Sequence, residues 1–260
     1  MNLLETHTRR VRDSGRKLFG PYVTGGVTDN WTEYLRAAVD AGADLIELGL
    51  PFSDPMLDGP TIQRASDAAL ARGATVDGIL ADVARLDLPV PLAAMTYANL
   101  VFRRGADRFC AALRDAGISG LIVPDVPVDE VESLASAAGA AGVDLVLLVS
   151  PSTAPERRLE IVKRSAGFVY AVSLMGTTGE RESLPESAGE LARPVKAITD
   201  LPVLLGFGVS SPAAARAAAG RADGVIVGSA LMQRVLDAAS PAEIGSYLAR
   251  LREAVDGLDD

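Results

Sequence analysis

Two carboxylates stand in one short stretch of this sequence, with Glu47 at the end of an apolar run and Asp58 eleven positions later. Residues 44–47 read as a buried strand, whereas Asp58 lies in a segment rich in proline and glycine, just before a helical pattern. A strand end would hold the first carboxylate and a loop would carry the second above it. This pairing is suited to moving a proton within a pocket. The structural alternative is an ion-paired Glu47 and a turn residue at position 58.

Two glycine-rich turns follow the last two apolar runs of strand length, and both are candidates for binding phosphate. Gly208 lies in the first turn, and Gly228 and Ser229 lie in the second. In (β/α)8 barrels such turns bind phosphate through backbone N–H groups, together with a helix N-terminus. A further glycine turn at 176–179 could close over a ligand. Each turn alone could be only a tight connection, but the final two together predict a phosphate site.

The remaining residues exclude several kinds of chemistry. The only histidine, His7, precedes the first strand, and the only cysteine is Cys110, so metal sites built on histidines or on several cysteines are excluded. Lys163 and Lys196 fall in helical patterns and Lys17 precedes the first strand, so no lysine is placed for imine chemistry. Neither a dinucleotide-binding fingerprint nor a P-loop occurs. What remains is carboxylate acid/base chemistry on a phosphorylated small molecule, without metal or imine.

Four other polar residues are candidates for the same pocket. Tyr22 and Tyr170 lie in strands and could either face the pocket or belong to the core. Tyr97 and Asn99 follow the third strand, where they could line the pocket or cap a helix. All four are therefore predicted as candidate substrate-binding residues.

The elements that must position these residues alternate regularly along the chain. Apolar runs of strand length alternate with alanine-rich segments of helical period. Most runs are unbroken, as in parallel strands that are buried on both faces. The predicted strands are 19–24, 45–49, 92–95, 120–123, 145–149, 168–172, 203–206 and 224–227. The predicted helices include 31–41, 63–72, 108–116, 129–140, 155–165 and 212–219.

Eight such units in about 250 residues predict an α/β protein with a single (β/α)8 barrel and an extra helix before the first strand. No low-complexity linker divides the chain, so residues 1–260 are assigned to one domain. Glycines at 42, 117 and 142 end helices and would supply left-handed caps. A doubly wound open sheet is the structural alternative.

Composition limits the location and the partners of the chain. A hydrophobic content of 48% suffices for a sizeable core, and the net charge of −9 argues against nucleic acid and anionic membranes as partners. No apolar run reaches the roughly 18 residues that span a bilayer. The first twelve residues lack the apolar stretch of a secretory signal. We therefore expect a soluble, cytoplasmic protein.

The segment 47–63, which reads ELGLPFSDPMLDGPTIQ, carries a highly specific resemblance. It is close to the signature of the tryptophan synthase α subunit, a family that the chain resembles over nearly its whole length. Residues 97–102, 124–127, 206–208 and 227–229 also fall in the family's order.

The resemblance implies cleavage of indole-3-glycerol phosphate to indole and glyceraldehyde 3-phosphate in L-tryptophan biosynthesis. Glu47 would protonate indole C3 and take the proton from the side-chain hydroxyl, while Asp58 would hold the indole N–H. Tyr170 would support Glu47 or the glycerol chain, and Thr178 would belong to a closing loop with Asp58 as its partner. The phosphate would be held by Gly179, Gly208, Gly228 and Ser229.

The resemblance also implies a partner, a tryptophan synthase β subunit in an α2β2 complex, with pyridoxal phosphate in the β subunit and no cofactor in this chain. Two loops depart from the family pattern. Residues 26–28 read Gly-Val-Thr where the family usually has Gly-Asp-Pro, and residues 173–179 lack the arginine of Ser-Arg-x-Gly-Val-Thr-Gly. These departures motivate one alternative, a free-standing indole-releasing lyase. A second alternative is a non-catalytic activator of another protein, and the presence of both Glu47 and Asp58 argues against it. A sugar-phosphate isomerase fits the glycines but not the 47–63 signature.

Overall fold

Eight short parallel strands pair in chain order, and β1 closes on β8 to complete a barrel. The computed structural model describes residues 2–172, 186–206 and 208–257, with the backbone alone for 186–190. The strands are β1 (Leu18–Thr24), β2 (Ile46–Gly49), β3 (Leu92–Met95), β4 (Gly120–Ile122), β5 (Asp144–Val149), β6 (Val169–Val172), β7 (Val203–Gly206) and β8 (Gly224–Val227). The predicted (β/α)8 barrel is confirmed, and each predicted strand end lies within one residue of the observed end.

Helices surround the barrel and connect its strands. They are α1 (Leu3–Asp13), α2 (Trp31–Asp40), α3 (Pro60–Ala71), α4 (Val76–Val83), α5 (Ala98–Arg104), α6 (Ala106–Asp115), α7 (Glu132–Ala141), α8 (Pro155–Arg164), α9 (Glu186–Lys196), α10 (Pro212–Ala219), α11 (Ser229–Leu236) and α12 (Pro241–Asp256). Helix α3 begins at Pro60, three residues before its predicted start, because proline fits the first turn of a helix. The predicted helix 129–140 divides into a 3₁₀ turn (Val128–Glu130) and α7. Within the described ranges, no helix combines the length and apolar character needed to cross a membrane.

In three of the helix-to-strand connections the turn is made by a glycine, as predicted. Gly42, Gly117 and Gly142 have φ values of +88°, +81° and +75°, in the left-handed region that side chains with a Cβ rarely adopt. Each ends its helix and sends the chain directly into the next strand. The short connections fix where each strand enters the barrel.

Buried carboxylates tie elements together at the N-terminal end of the barrel. Asp44, Asp144 and Asp223 accept backbone N–H groups of β1, α1 and β7 at 2.9–3.0 Å. Asp44 also pairs with buried Arg252 at 3.0 Å, and Asp223 pairs with Lys196 at 2.6 Å. Lys196 therefore contributes an ion pair to the N-terminal end of the barrel, opposite the rim where an active site is expected.

The extra N-terminal helix closes the lower end of the barrel. Leu4 is fully buried between Gly120 and Gly167, where a Cβ on either glycine would overlap its Cδ2 atom. Thr8 donates its hydroxyl to the Gly167 carbonyl at 2.7 Å, and Asp144 accepts a backbone N–H from the first turn of α1. Helix α1 thus fills the space that the small residues of β4 and of the turn before β6 leave open.

Replacing Leu4 by alanine should lower the free energy of unfolding by about 3 kcal/mol, because the barrel floor loses its apolar filling and keeps a cavity. The neighbouring Leu3→Ala is the matched control, since Leu3 is 63% exposed and should change stability by less than about 0.5 kcal/mol. Chemical denaturation of both variants measures the difference. Equal effects would show that α1 does not close the barrel.

Candidate active site

A cavity of about 330 Å³ opens at the C-terminal end of the barrel strands, the end at which barrel enzymes place their active sites. Its lining divides into two sides. Most of the polar side chains and all of the glycines come from β1, β2, β6 and β7 and from the loops after β2, β7 and β8, whereas β3, β5 and the segment after β4 contribute mainly apolar side chains. The predicted site residues in its lining are Tyr22, Glu47, Asp58, Tyr170, Gly208, Gly228 and Ser229.

Glu47 lies inside the barrel on β2, and its side chain is only 1% exposed. The Tyr170 hydroxyl donates a hydrogen bond to Glu47 Oε2 at 3.0 Å. Burial raises the pKa of Glu47 from 4.5 to about 8, although the hydrogen bond from Tyr170 opposes this rise and the nearby charge of Asp58 adds to it. At neutral pH, Glu47 is therefore a protonated acid held at the floor of the cavity.

Asp58 is carried by the loop between β2 and α3, and it faces the same cavity. Its backbone N–H bonds to the Pro55 carbonyl at 3.1 Å, and Gln63 Nε2 donates to its carbonyl at 2.7 Å, so the turn is fixed on both sides. Burial raises the pKa of the Asp58 carboxyl from 3.8 to about 6, and a hydrogen bond with Tyr97 limits the rise. Asp58 is thus mostly ionised at the pH where Glu47 is protonated.

Tyr97 contacts the loop between β2 and α3 on the side away from the cavity, and it does not belong to the cavity lining. Its hydroxyl accepts the backbone N–H of Leu57 at 3.0 Å, and its ring stacks on Phe52 with centroids 5.3 Å apart. The Asp125 carboxylate accepts the N–H of Ala98 at 2.9 Å and so fixes the start of α5 next to Tyr97. The sequence predicted that Tyr97 would contact substrate, whereas the structure places it where it positions Asp58.

Two glycines make room for the two tyrosines of the cavity. A Cβ at Gly49 on β2 would overlap the Tyr22 hydroxyl, and a Cβ at Gly206 on β7 would overlap the Tyr170 ring. Each tyrosine therefore lies across the neighbouring strand, and Tyr170 can reach Glu47 only because Gly206 has no side chain. The sequence predicts Gly206 as the last residue of the seventh strand and does not indicate its close approach to an aromatic ring.

The part of the cavity rim that follows β7 and β8 is formed by glycine backbone. Gly208 has a φ of +29°, and Gly228 is the residue before α11, which begins at Ser229. The first N–H groups of a helix have no partners within it and carry partial positive charge, which suits an anion. This rim is where the sequence predicted a phosphate site.

Some predicted site residues are not brought to the cavity. Asn99 is exposed on α5 and is absent from the cavity lining. Thr178 and Gly179 lie outside the described residues, as does the departing loop 173–179. Val27, the other departure, is buried in the apolar core. Among residues 2–172, 186–206 and 208–257, there is no cluster of three or more histidine, cysteine or acidic side chains suited to a metal ion.

The apolar side of the cavity was missed by reasoning from sequence. It includes Met95, Pro124, Val126 and Leu148, and Arg157 also lines the cavity. Pro124 and Val126 belong to a segment that had been noted only for its family resemblance. Because Leu148 lies in an unbroken apolar strand, its sequence context does not indicate that it faces a cavity.

Comparison with known proteins identifies the family. Residues 9–258 match the family model described as tryptophan synthase alpha chain. The chain belongs to this family. It is therefore an enzyme of tryptophan biosynthesis, and its activity is the α reaction.

Individual relatives within the tryptophan synthase alpha chain family agree with this assignment over nearly the whole chain. The alpha chain of Picosynechococcus sp. is 43% identical over 264 residues, which cover 98% of this chain and 100% of the relative. Among solved structures, that of Mycobacterium tuberculosis tryptophan synthase is 39% identical with a TM-score of 0.91 and covers 98% of both chains. The subunit alpha of Legionella pneumophila is 33% identical with a TM-score of 0.90, covering 98% of this chain and 99% of that one.

The burial of Glu47 should appear as a pH-dependent cost in stability. Because its folded pKa of about 8 exceeds the ordinary 4.5, the folded protein holds a proton that the unfolded chain has lost, and stability falls as pH rises between these values. Glu47→Gln cannot titrate. Its advantage in melting temperature over the unmodified protein should therefore grow from pH 5 to 8 and then level off. Asp54→Asn, an exposed change in the same segment, is the control, and a constant difference would contradict burial as the cause.

The fit between Gly206 and Tyr170 can be tested with two glycine substitutions of opposite expected sign. Gly206→Ala should destabilise the protein by about 2 kcal/mol, because the added methyl group overlaps the Tyr170 ring. Gly245→Ala, within α12, meets only ordinary contacts of 3.6 Å and should stabilise by about 0.7 kcal/mol through helix propensity. Thermal unfolding measures both, and a stabilising Gly206→Ala would refute the overlap.

Proposed function

We propose that the chain performs the α reaction as a carbon–carbon lyase, cleaving indole-3-glycerol phosphate to indole and glyceraldehyde 3-phosphate. The observation that carries this proposal is that Asp58 and the buried Glu47 line one cavity, where burial raises the pKa of Glu47 to about 8 and that of Asp58 only to about 6. The reaction needs an acid/base and an electrostatic stabiliser, and these two carboxyl groups differ in environment in the required way. Family membership supports the same conclusion.

The two sides of the cavity fit the two ends of this substrate. The phosphate would lie against the backbone N–H groups of Gly208 and Gly228 and the hydroxyl of Ser229. The indole ring would lie against the apolar side formed by Met95 and Leu148. In this orientation the bond to be broken lies between the two ends, near Glu47.

The reaction then runs in two proton transfers. Glu47 donates its proton to indole C3, and the resulting positive charge spreads to the ring nitrogen, whose N–H donates a hydrogen bond to the Asp58 carboxylate. The Glu47 carboxylate next removes the proton from the hydroxyl on the carbon attached to C3. As the aldehyde forms, the electron pair of the carbon–carbon bond returns to the ring and restores its aromaticity. Glu47 ends protonated, so it is ready for another cycle.

The pKa values of both carboxyl groups predict a bell-shaped dependence of kcat/KM on pH. Activity should rise as Asp58 ionises near pH 6 and fall as Glu47 loses its proton near pH 8. Asp58→Asn should lower the rate by about a hundredfold or more and remove the acidic limb. If that limb persists, it belongs to another group, such as the substrate phosphate, whose second pKa is also about 6.

Glu47→Gln should lower kcat by about a thousandfold or more, because the amide can neither donate nor accept the transferred proton. Asp54→Asn serves as the control within the same segment, since Asp54 is exposed and does not line the cavity. Full turnover by Glu47→Gln would exclude the proposed acid/base role.

We further propose that a tryptophan synthase β subunit, with its pyridoxal phosphate, is the partner that receives the indole. Exposed apolar side chains near the cavity support this proposal, with Met56 80% exposed, Leu57 45% exposed and Phe102 46% exposed. Leu57 also lines the cavity, and its N–H donates to the Tyr97 hydroxyl. An apolar partner surface that covers Leu57 would therefore contact the segment that carries Asp58.

The decisive experiment measures indole release from indole-3-glycerol phosphate with and without a tryptophan synthase β subunit. Slow release alone and strong acceleration by β is the expected result. Fast release at a rate that the β subunit does not change would indicate a free-standing lyase. No release under either condition would overturn the enzymatic proposal. Met56→Asp should reduce the acceleration, whereas Leu3→Asp, an exposed leucine of the helix at the other end of the barrel, should not.

A further inference from the structure

The cavity continues past the barrel wall at β5. Leu148 pairs in register with Tyr170, whose hydroxyl reaches Glu47 inside the barrel, so Leu148 faces inward. Successive side chains of a strand point to opposite faces, so Leu147 faces outward. Both leucines line the same cavity, together with Ser150 just beyond the strand. The cavity therefore passes over the C-terminal end of β5 and reaches the space between this strand and α8.

The outer part of the cavity, called the side lobe here, has apolar walls and a polar rim. Its walls are Val128, Leu147 and Ile161, all of which are buried. Thr153 and Arg157 lie at its rim. The volume available in the side lobe is therefore bounded by branched aliphatic side chains.

Hydrogen bonds hold the walls of the side lobe in place. Arg164 of α8 donates to the Val128 carbonyl at 3.3 Å, and Arg157 forms an ion pair with Asp129, so two contacts join α8 to the 3₁₀ turn. In the loop after β5, the Ser150 N–H donates to Thr153 Oγ1 at 3.0 Å and fixes the turn that carries both residues. The side lobe is thus a preformed space, as small-molecule pockets commonly are.

The orientation of the substrate directs one edge of its ring toward this space. With the phosphate at Gly228, C3 at Glu47 and the ring N–H at Asp58, the ring carbons farthest from C3 and N1 are C5 and C6. In this orientation these carbons would face the apolar part of the cavity lining, which includes Pro124 and Leu148. An unsubstituted ring would end there, next to the side lobe.

On the basis of the proposed function, we propose that the side lobe is a subsite for substituents of the indole ring. It takes a small apolar group, such as chloro, methyl or methoxy, at C5 or C6. The chain then cleaves indole-3-glycerol phosphates that carry such groups, and Val128, Leu147 and Ile161 determine which groups fit.

The experiment compares kcat/KM for the 5-chloro and 5-methoxy substrates with that for the parent substrate, using one enzyme preparation for each ratio. Because it is a ratio, loss of folded enzyme in a variant cancels. Ile161→Phe fills the side lobe and should lower the ratio by about tenfold or more, while Ile161→Ala should raise it for the methoxy substrate. Leu159→Phe, exposed on the same helix, and Ile244→Ala, buried in α12 away from the cavity, should leave the ratio unchanged.

A parallel measurement distinguishes failure of this inference from failure of the proposed function. Isothermal titration gives the ratio of the dissociation constants of indole and 5-chloroindole, and this ratio requires no turnover. If the unmodified protein does not cleave the parent substrate, the proposed function fails, and the binding ratios of the Ile161 variants still test the side lobe. Ratios that stay the same in Ile161→Phe and Ile161→Ala, in catalysis and in binding, would overturn the inference.

Discussion

The burial of one carboxyl group inside the barrel is the constraint on which the rest of the site depends. Glu47 is enclosed on β2 and bonded to the Tyr170 hydroxyl, and desolvation raises its pKa to about 8. A carboxylic acid that keeps its proton at neutral pH can serve as a general acid. The same desolvation costs stability whenever the group ionises. The proton that Glu47 would transfer in the proposed reaction therefore also lowers the free-energy cost of its burial.

The packing around Glu47 is arranged from the neighbouring strands. Tyr22 and Tyr170 come from β1 and β6, and each lies over a glycine of the adjacent strand, Gly49 or Gly206. Parallel strands only about 4.8 Å apart leave no room for a phenol ring and a facing side chain at the same level. The glycines at these strand ends thus make room for aromatic packing inside the barrel.

The buried carboxyl groups have different partners at the two ends of the barrel. At the N-terminal end, Asp44 and Asp223 are paired with cations and backbone N–H groups, and α1 fills the floor with Leu4. At the C-terminal end, Glu47 and Asp58 have no cation partner among the residues described, so no cation offsets the rise in pKa that burial causes. Paired carboxylates therefore stabilise the fold at one end, whereas the other end keeps its carboxyl groups free to exchange protons.

The sequence by itself determined the strands, the barrel and the two central carboxyl groups. Unbroken apolar runs and glycine caps are local signals, so the strand ends could be placed within one residue, and the spacing of Glu47 and Asp58 set one on a strand and one on a loop. Only the tertiary structure decided that Asn99 is exposed, that Tyr97 stands behind the Asp58 loop, and that the cavity extends to Leu147 and Ile161. The direction of a side chain depends on strand register and on how distant helices pack, and these are set by contacts between residues far apart in the chain.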